Sequence, residues 1–170
     1  MRAAPSLVIW LVTSRCNAYC SYCYTGDLRG EFSEEAAVKV AEGLVELAPR
    51  SIGITGGEPI LWPPLRRIIK LLRDGEMDVS LQSNMKLFDI DYAKFLADLD
   101  VFLFTSLDGA DSLTHEAYRG VGSWEAAIRG LKIARDIGLE FATVTTINTV
   151  NVDKLPSILE LSSKLGSSYA

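Results

Sequence analysis

The feature that most constrains this fold is a regular alternation of short apolar runs with longer stretches of helical spacing. The apolar runs are rich in Val, Ile and Phe and are bounded by Gly, Asn, Asp or Ser, as strands are. They span 7–12, 51–55, 78–82, 101–107 and 141–147. The stretches between them carry helix signals, such as Ser33 before two acidic residues. The pattern predicts an α/β fold with a parallel sheet, either open or curved into a barrel.

The bulk composition predicts a single domain over residues 1–170. With 48% hydrophobic residues the chain can bury one core, and its formal net charge of -5 argues against nucleic acid as a partner. The apolar run at 7–12 is too short to span a membrane, and no small-residue cleavage site follows it. We therefore expect a cytoplasmic protein without a membrane partner.

The three cysteines lie in one short segment, Cys16, Cys20 and Cys23, with the spacing CxxxCxxC. Three thiolates on a compact loop can ligate three irons of a four-iron, four-sulfur cluster, which leaves the fourth iron open to a small molecule. Two alternatives remain: buried free thiols, or a partial zinc site that recruits the single histidine, His115. No distant cysteine is present, so a disulfide framework is disfavoured.

Polar residues follow each of the other predicted strands. In parallel α/β folds ligands gather at the carboxyl ends of the strands, so we expect these residues to meet the cysteine loop. They are Gly56-Gly57-Glu58-Pro59 after the second strand, Ser83-Asn84 after the third, Ser106 with Asp108 after the fourth, and Asn148 after the fifth.

Together these motifs resemble the radical SAM superfamily. The cysteine loop with Tyr22 before its last cysteine is similar to that family's signature, and 55–59, Thr-Gly-Gly-Glu-Pro, is similar to its GGEP motif. Ser106-Leu107-Asp108-Gly109, followed by His115-Glu116 and Arg119-Gly120, resembles the peptide-modifying and cofactor-maturing branches. The resemblance covers residues 7 to about 166.

This resemblance implies a partial (β/α)6 TIM-like barrel with about five β/α units, a 4Fe–4S cluster and S-adenosylmethionine. The family's chemistry is reductive cleavage of S-adenosylmethionine to a 5′-deoxyadenosyl radical, which abstracts hydrogen from the substrate. We expect a peptide or small-molecule substrate, such as a cofactor precursor. An external electron donor of flavodoxin or ferredoxin type is also expected.

Roles for single residues follow from the same resemblance. The expected cluster ligands are Cys16, Cys20 and Cys23, and no catalytic acid or base is identified. Glu58 would receive the methionine ammonium, and the glycines would let backbone approach the ligand. Arg119 and Ser106 would hold the methionine carboxylate. The remaining cofactor-binding candidates are Tyr22, Gly56, Gly57, Ser83, Asn84 and Asn148.

Alternative roles are open for several of these residues. Arg119 can be a surface ion-pair residue, and the serine and asparagines can cap turns. Asn151 competes with Asn148 for the role after the fifth strand. Asp108 is interpreted as a turn-former before Gly109, and His115 as a structural residue on a helix.

The chain departs from the family's pattern at its C-terminal end. A sixth strand is expected after residue 166 but is not visible, so we expect a domain that is incomplete there. Residues 167–170 have no evident role in the pattern. The alternatives for function are a cyclase of the molybdenum-cofactor type, which would need a second set of three cysteines, and a non-enzymatic zinc-binding module.

Overall fold

Five parallel strands alternate with helices in a computed structural model, which describes residues 4–25 and 30–169. The strands are β1 (Leu7–Thr13), β2 (Ser51–Gly56), β3 (Asp78–Ser83), β4 (Phe102–Ser106) and β5 (Phe141–Val144). The helices are α1 (Glu34–Leu47), α2 (Leu65–Asp74), α3 (Ile90–Asp98), α4 (Ser112–Arg119), α5 (Ser123–Ile137) and α6 (Leu155–Leu165), with 3-10 turns at Pro59–Leu61 and Val152–Lys154. The predicted α/β class is confirmed.

The strand order decides between an open sheet and a barrel. Each strand pairs with the next in the chain, in the order β1-β2-β3-β4-β5, and all pairs are parallel. When successive right-handed crossovers all step in the same direction along a sheet, every helix lies on the same face of that sheet. A doubly wound sheet would reverse its strand order partway. The sheet is therefore part of a barrel wall, with helices outside and a concave face inside.

The core lies between the sheet and its helices. Alternate strand residues such as Ile52, Leu81 and Leu103 are buried in the same hydrophobic core as the inward face of α2, which is also fully buried. The other face of β1 is open, since Leu7 and Ile9 are 54% and 55% exposed. The burial pattern thus follows the two faces of the strand, as period-two alternation requires.

The helix termini explain where the elements begin and end. Ser33 caps α1, because its hydroxyl accepts a hydrogen bond from the Ala36 N–H at 3.2 Å. The sequence placed His115 on a helix but did not predict the bounds of α4; Asp111 caps this helix by accepting from the Thr114 N–H at 2.8 Å. Within 4–25 and 30–169, no helix is long and apolar enough to cross a bilayer.

The C-terminal residues bond to the outer edge of β5. Ser168 donates from its backbone N–H to the Phe141 carbonyl at 2.9 Å, and Thr143 donates to the Tyr169 carbonyl at 3.2 Å. The expectation that 167–170 have no role is therefore wrong for Ser168 and Tyr169. Strand β5 ends at Val144 rather than at 147, because the next residues turn back to bond Leu107 and Asp108.

Candidate functional site

One cavity of about 180 Å³ lies at the carboxyl ends of the strands, in the position the sequence predicts. All the predicted site residues except Glu58 and Asn148 line it. These are Cys16, Cys20, Tyr22, Cys23, Gly56, Gly57, Ser83, Asn84, Ser106 and Arg119. Thr55 and Gln82, which were not among the predicted site residues, also line it.

The cysteine loop is held against helix α4. Its Ser21 N–H donates to the Tyr118 carbonyl at 2.8 Å, and the Cys23 N–H donates to the Cys20 carbonyl at 3.1 Å in a tight turn. The rings of Tyr22 and Tyr118 lie 6.1 Å apart. Backbone bonds and ring packing therefore fix the loop that carries the thiols.

The thiols face polar groups as well as one another. Cys16 Sγ accepts from the Ala18 N–H at 3.4 Å, and the Asn84 side-chain amide lies 3.6 Å from it. Burial raises the pKa of the Cys20 thiol, and the neighbouring thiols raise it further, while Arg119 acts in the opposite direction. Metal ligation would supply the charge needed to hold this group as a thiolate.

The two glycines of the GGEP motif pack against the root of the cysteine loop. A Cβ on Gly56 would lie 2.4 Å from the Thr13 carbonyl oxygen, and one on Gly57 would lie 2.2 Å from that of Arg15. Gly56 also has φ +146°, which side chains rarely adopt. The Gly57 N–H donates to Thr13 O at 2.7 Å, and the Glu58 N–H to Arg15 O at 2.8 Å. This part of the chain fixes the backbone immediately before Cys16.

Glu58 does not line the cavity, although Gly56 and Gly57 beside it do. The residue is fully buried, and its carboxylate accepts from the N–H of Ile60 (3.1 Å) and of Asn84 (2.7 Å) and from the Ser83 hydroxyl (3.1 Å). Burial raises its pKa to about 7, against these hydrogen bonds. The structure gives Glu58 a bracing role between the ends of β2 and β3.

Asp108, which was interpreted as a turn-former, bonds to three other segments beside this site. Its carboxylate, 2% exposed, accepts from Arg119 Nε at 2.6 Å, from the Thr146 N–H at 2.8 Å and from the Tyr22 hydroxyl. Burial and this hydrogen bond raise the pKa of Tyr22. The ion pair is buried, so the interpretation of Arg119 as a surface ion-pair residue is wrong.

The loop after β5 does not bring Asn148 to the cavity. The Asn148 side chain accepts from the Val150 N–H at 2.9 Å and donates to the Thr146 carbonyl at 3.1 Å, which forms a turn. Asn151 is the buried member of this loop and donates to the backbone carbonyl of Asp108 at 3.0 Å. The structure gives both asparagines local bonds that shape the loop.

His115 lies in α4, away from the thiols. Its Nδ1 accepts from the Asp108 N–H at 3.2 Å, and its ring lies 5.7 Å from that of Trp124. Burial, together with the charge of Arg119, lowers its pKa to about 4, so the ring is a neutral acceptor at neutral pH. His115 does not line the cavity that the three thiols share, and its Nδ1 is already bonded. In the described part of the chain, no three His, Cys, Asp or Glu side chains surround a single metal-ion position.

The residues present suit an iron–sulfur cluster with one open position. Three thiols line one cavity, and thiolates are the ligands that such clusters take in proteins. Arg119 brings a positive charge to the same cavity, and Ser106 brings a hydroxyl. The donor set therefore supplies three ligands to a cluster and polar groups to a small anionic molecule beside it.

Comparisons with known proteins agree with this arrangement. An AdoMet-dependent heme synthase of Nitratidesulfovibrio vulgaris is 29% identical over 167 residues, which are 95% of this chain and 46% of that protein. A probable GTP 3′,8-cyclase of Methanococcus maripaludis is 30% identical over 166 residues, 92% of this chain and 54% of that protein. The chain spans about half the length of the curated relatives it matches.

Solved structures share the fold. The structure of native anSMEcpe with bound AdoMet superposes with a TM-score of 0.82 at 22% identity, over 96% of this chain and 49% of that one. Streptococcus suis SuiB gives a TM-score of 0.78 at 16% identity, over 92% of this chain and 37% of that one. The sequence profile of the radical SAM superfamily matches residues 10–162. The chain therefore belongs to the radical SAM superfamily.

Proposed function

We propose that this chain binds a 4Fe–4S cluster through Cys16, Cys20 and Cys23 and binds S-adenosylmethionine beside it. The observation that carries the proposal is the shared cavity, in which three thiols face Arg119 and Ser106 across the ends of the strands. Bound together, the cluster and S-adenosylmethionine supply one-electron cleavage to a 5′-deoxyadenosyl radical. An external donor of flavodoxin or ferredoxin type would supply the electron.

The protein's own residues would bind and orient the cofactor. Arg119 presents a guanidinium whose Nε is already bonded to Asp108. Its terminal amino groups have no partner among the residues described here, so they can hold the methionine carboxylate as a planar fork. Ser106 can donate to the same group. Gln82 and Thr55 border the cavity on the concave face and are candidate contacts for the sugar.

The substrate would approach from the concave face of the sheet. A second cavity of about 470 Å³ lies there and shares Tyr24, Thr55 and Gln82 with the first. Its other walls are largely apolar, including Leu7, Ile9, Phe104 and Val144. We propose that the substrate, a peptide or a cofactor precursor, enters through this second cavity. It would thereby bring the hydrogen to be abstracted to the site.

Anaerobic reconstitution followed by reduction tests the proposal. The cluster-loaded chain should convert S-adenosylmethionine to 5′-deoxyadenosine when dithionite or reduced flavodoxin is added. Arg119→Ala should keep its iron and lose most of this product. Cluster-loaded protein that binds no S-adenosylmethionine would contradict the proposal, as would an Arg119→Ala variant with unchanged product.

A further inference from the structure

The buried carboxylate of Asp108 joins three separate parts of the site. Tyr22 donates to it from the cysteine loop, Arg119 from the last turn of α4, and Thr146 from the loop after β5. Asp108 itself directly follows the strand that ends at Ser106. One side chain thus contacts the cysteine loop, helix α4 and the loop after β5.

The charged side chains of Asp108 and Arg119 are both largely buried. Arg119 is 11% exposed and Asp108 only 2%, so each buried charge depends on the other for compensation. The hydrogen bond to Asp108 uses Nε of Arg119 and fixes the plane of the Arg119 guanidinium. The Arg119 guanidinium carbon also lies 5.6 Å from the centre of the Tyr22 ring, so the same charge borders the cysteine loop.

We propose that Asp108 is a positioning residue that sets the Arg119 fork and the cysteine loop at a fixed spacing. This inference rests on the proposed function, because its effect is read through S-adenosylmethionine. A cofactor that must touch both the cluster and Arg119 binds well only if that spacing is maintained. Asp108 contacts neither the cofactor nor the cluster ligands in this account.

The consequence is energetic coupling between Asp108 and Arg119. Asp108→Asn keeps the shape of the side chain but removes the charge, and its amide has one acceptor oxygen for three donors. Loss of the orienting charge should weaken binding of S-adenosylmethionine about tenfold or more. Arg119→Lys, which keeps the charge but loses the fork, should weaken it similarly. Both substitutions disturb the same contact between Arg119 and S-adenosylmethionine. The double variant should therefore bind S-adenosylmethionine only slightly more weakly than either single variant.

Calorimetric titration of S-adenosylmethionine into anaerobically reconstituted protein tests this, with iron content and thermal midpoint measured on each sample. Asp111→Asn is the matched control, because Asp111 caps the same helix by accepting from Thr114 and does not line the cavity. Because asparagine also caps helices, this variant should leave the affinity unchanged and the thermal midpoint close to that of wild type. A purely structural role for Asp108 would make its effects additive with those of Arg119→Lys.

Three further results would be decisive. Unchanged affinity in Asp108→Asn, with Arg119→Lys weakened, would overturn the inference while leaving the proposed function intact. Wild-type protein that carries a cluster but binds no S-adenosylmethionine would overturn both. If Asp108→Asn does not fold, Tyr22→Phe removes one donor to the same carboxylate and retains the ring; it should still weaken binding several-fold, and wild-type affinity there would overturn the inference.

Discussion

Gly57 meets the backbone of Arg15 so closely that no side chain fits between them. A Cβ at this position would lie 2.2 Å from the Arg15 carbonyl oxygen, and the adjacent Glu58 N–H donates to that same oxygen at 2.8 Å. Backbone cannot move aside as the end of a flexible side chain can. The glycine is therefore needed for the path of the chain into Cys16.

We predict that Gly57→Ala displaces the start of the cysteine loop and lowers cluster occupancy. The steric overlap should also cost about 1–3 kcal/mol of unfolding free energy. Gly43→Ala is the control, because a Cβ on Gly43 meets nothing within 4 Å and alanine favours the helix by about 0.5–1 kcal/mol. Iron analysis and chemical denaturation measure both effects. Full iron content in Gly57→Ala would show that the close approach is not needed for the loop.

Glu58 should make the stability depend on pH in a way that a glutamine cannot. Its pKa is raised from 4.5 to about 7 by burial, so the folded state holds a proton that the unfolded state releases. The stabilisation is fully present below pH 4.5 and is lost as pH rises through about 7. Its size is on the order of 3 kcal/mol.

Comparison of wild-type protein with Glu58→Gln isolates this contribution. His115, whose pKa is lowered to about 4, acts in the opposite direction below pH 6.5, but it is present in both proteins and cancels in the difference. Unfolding by urea between pH 4.5 and 7.5 should show wild-type stability falling relative to the variant as pH rises. A constant difference would mean that Glu58 is ionised throughout.

The sequence predicted the strands and most of the cavity because both depend on local signals. Apolar runs bounded by turn residues marked β1 to β5, and the cysteine spacing marked the ligands. The roles of Glu58 and Asp108 could not be predicted, because they depend on which way a side chain points from the end of a strand. Glu58 accepts from donors at the end of β3, and Asp108 accepts from three donors in distant segments.

The bounds of α4 were not predicted because its apolar spacing is weak. Only Thr114 and His115 are buried in it, and Leu113 is 82% exposed. The helix is held instead by the Asp111 cap and by the bond between Arg119 and Asp108. A pattern based on apolar periodicity cannot detect an element that is stabilised mainly by polar contacts.

The open face of β1 should promote association. Leu7 and Ile9 are 54% and 55% exposed on the concave side, next to an edge without a further strand among the described residues. We expect Ile9→Thr to lower the association that light scattering detects. Leu47→Gln, at a residue 48% exposed on the outer helix layer, should leave association unchanged. Equal behaviour of the two variants would show that the concave face is not the surface involved.

Iron and sulfide analysis of the reconstituted chain, combined with electron paramagnetic resonance of its reduced form, tests whether the three cysteines hold a 4Fe–4S cluster with an open position. Wild-type protein should hold about four irons and four sulfides per chain, and S-adenosylmethionine should change the spectrum by occupying the open position. Replacing Cys16, Cys20 or Cys23 by Ala should abolish the cluster while the chain stays folded by circular dichroism. Full iron and sulfide in any of the three variants would contradict the proposed cluster ligands. A wild-type spectrum that S-adenosylmethionine does not alter would contradict the open position.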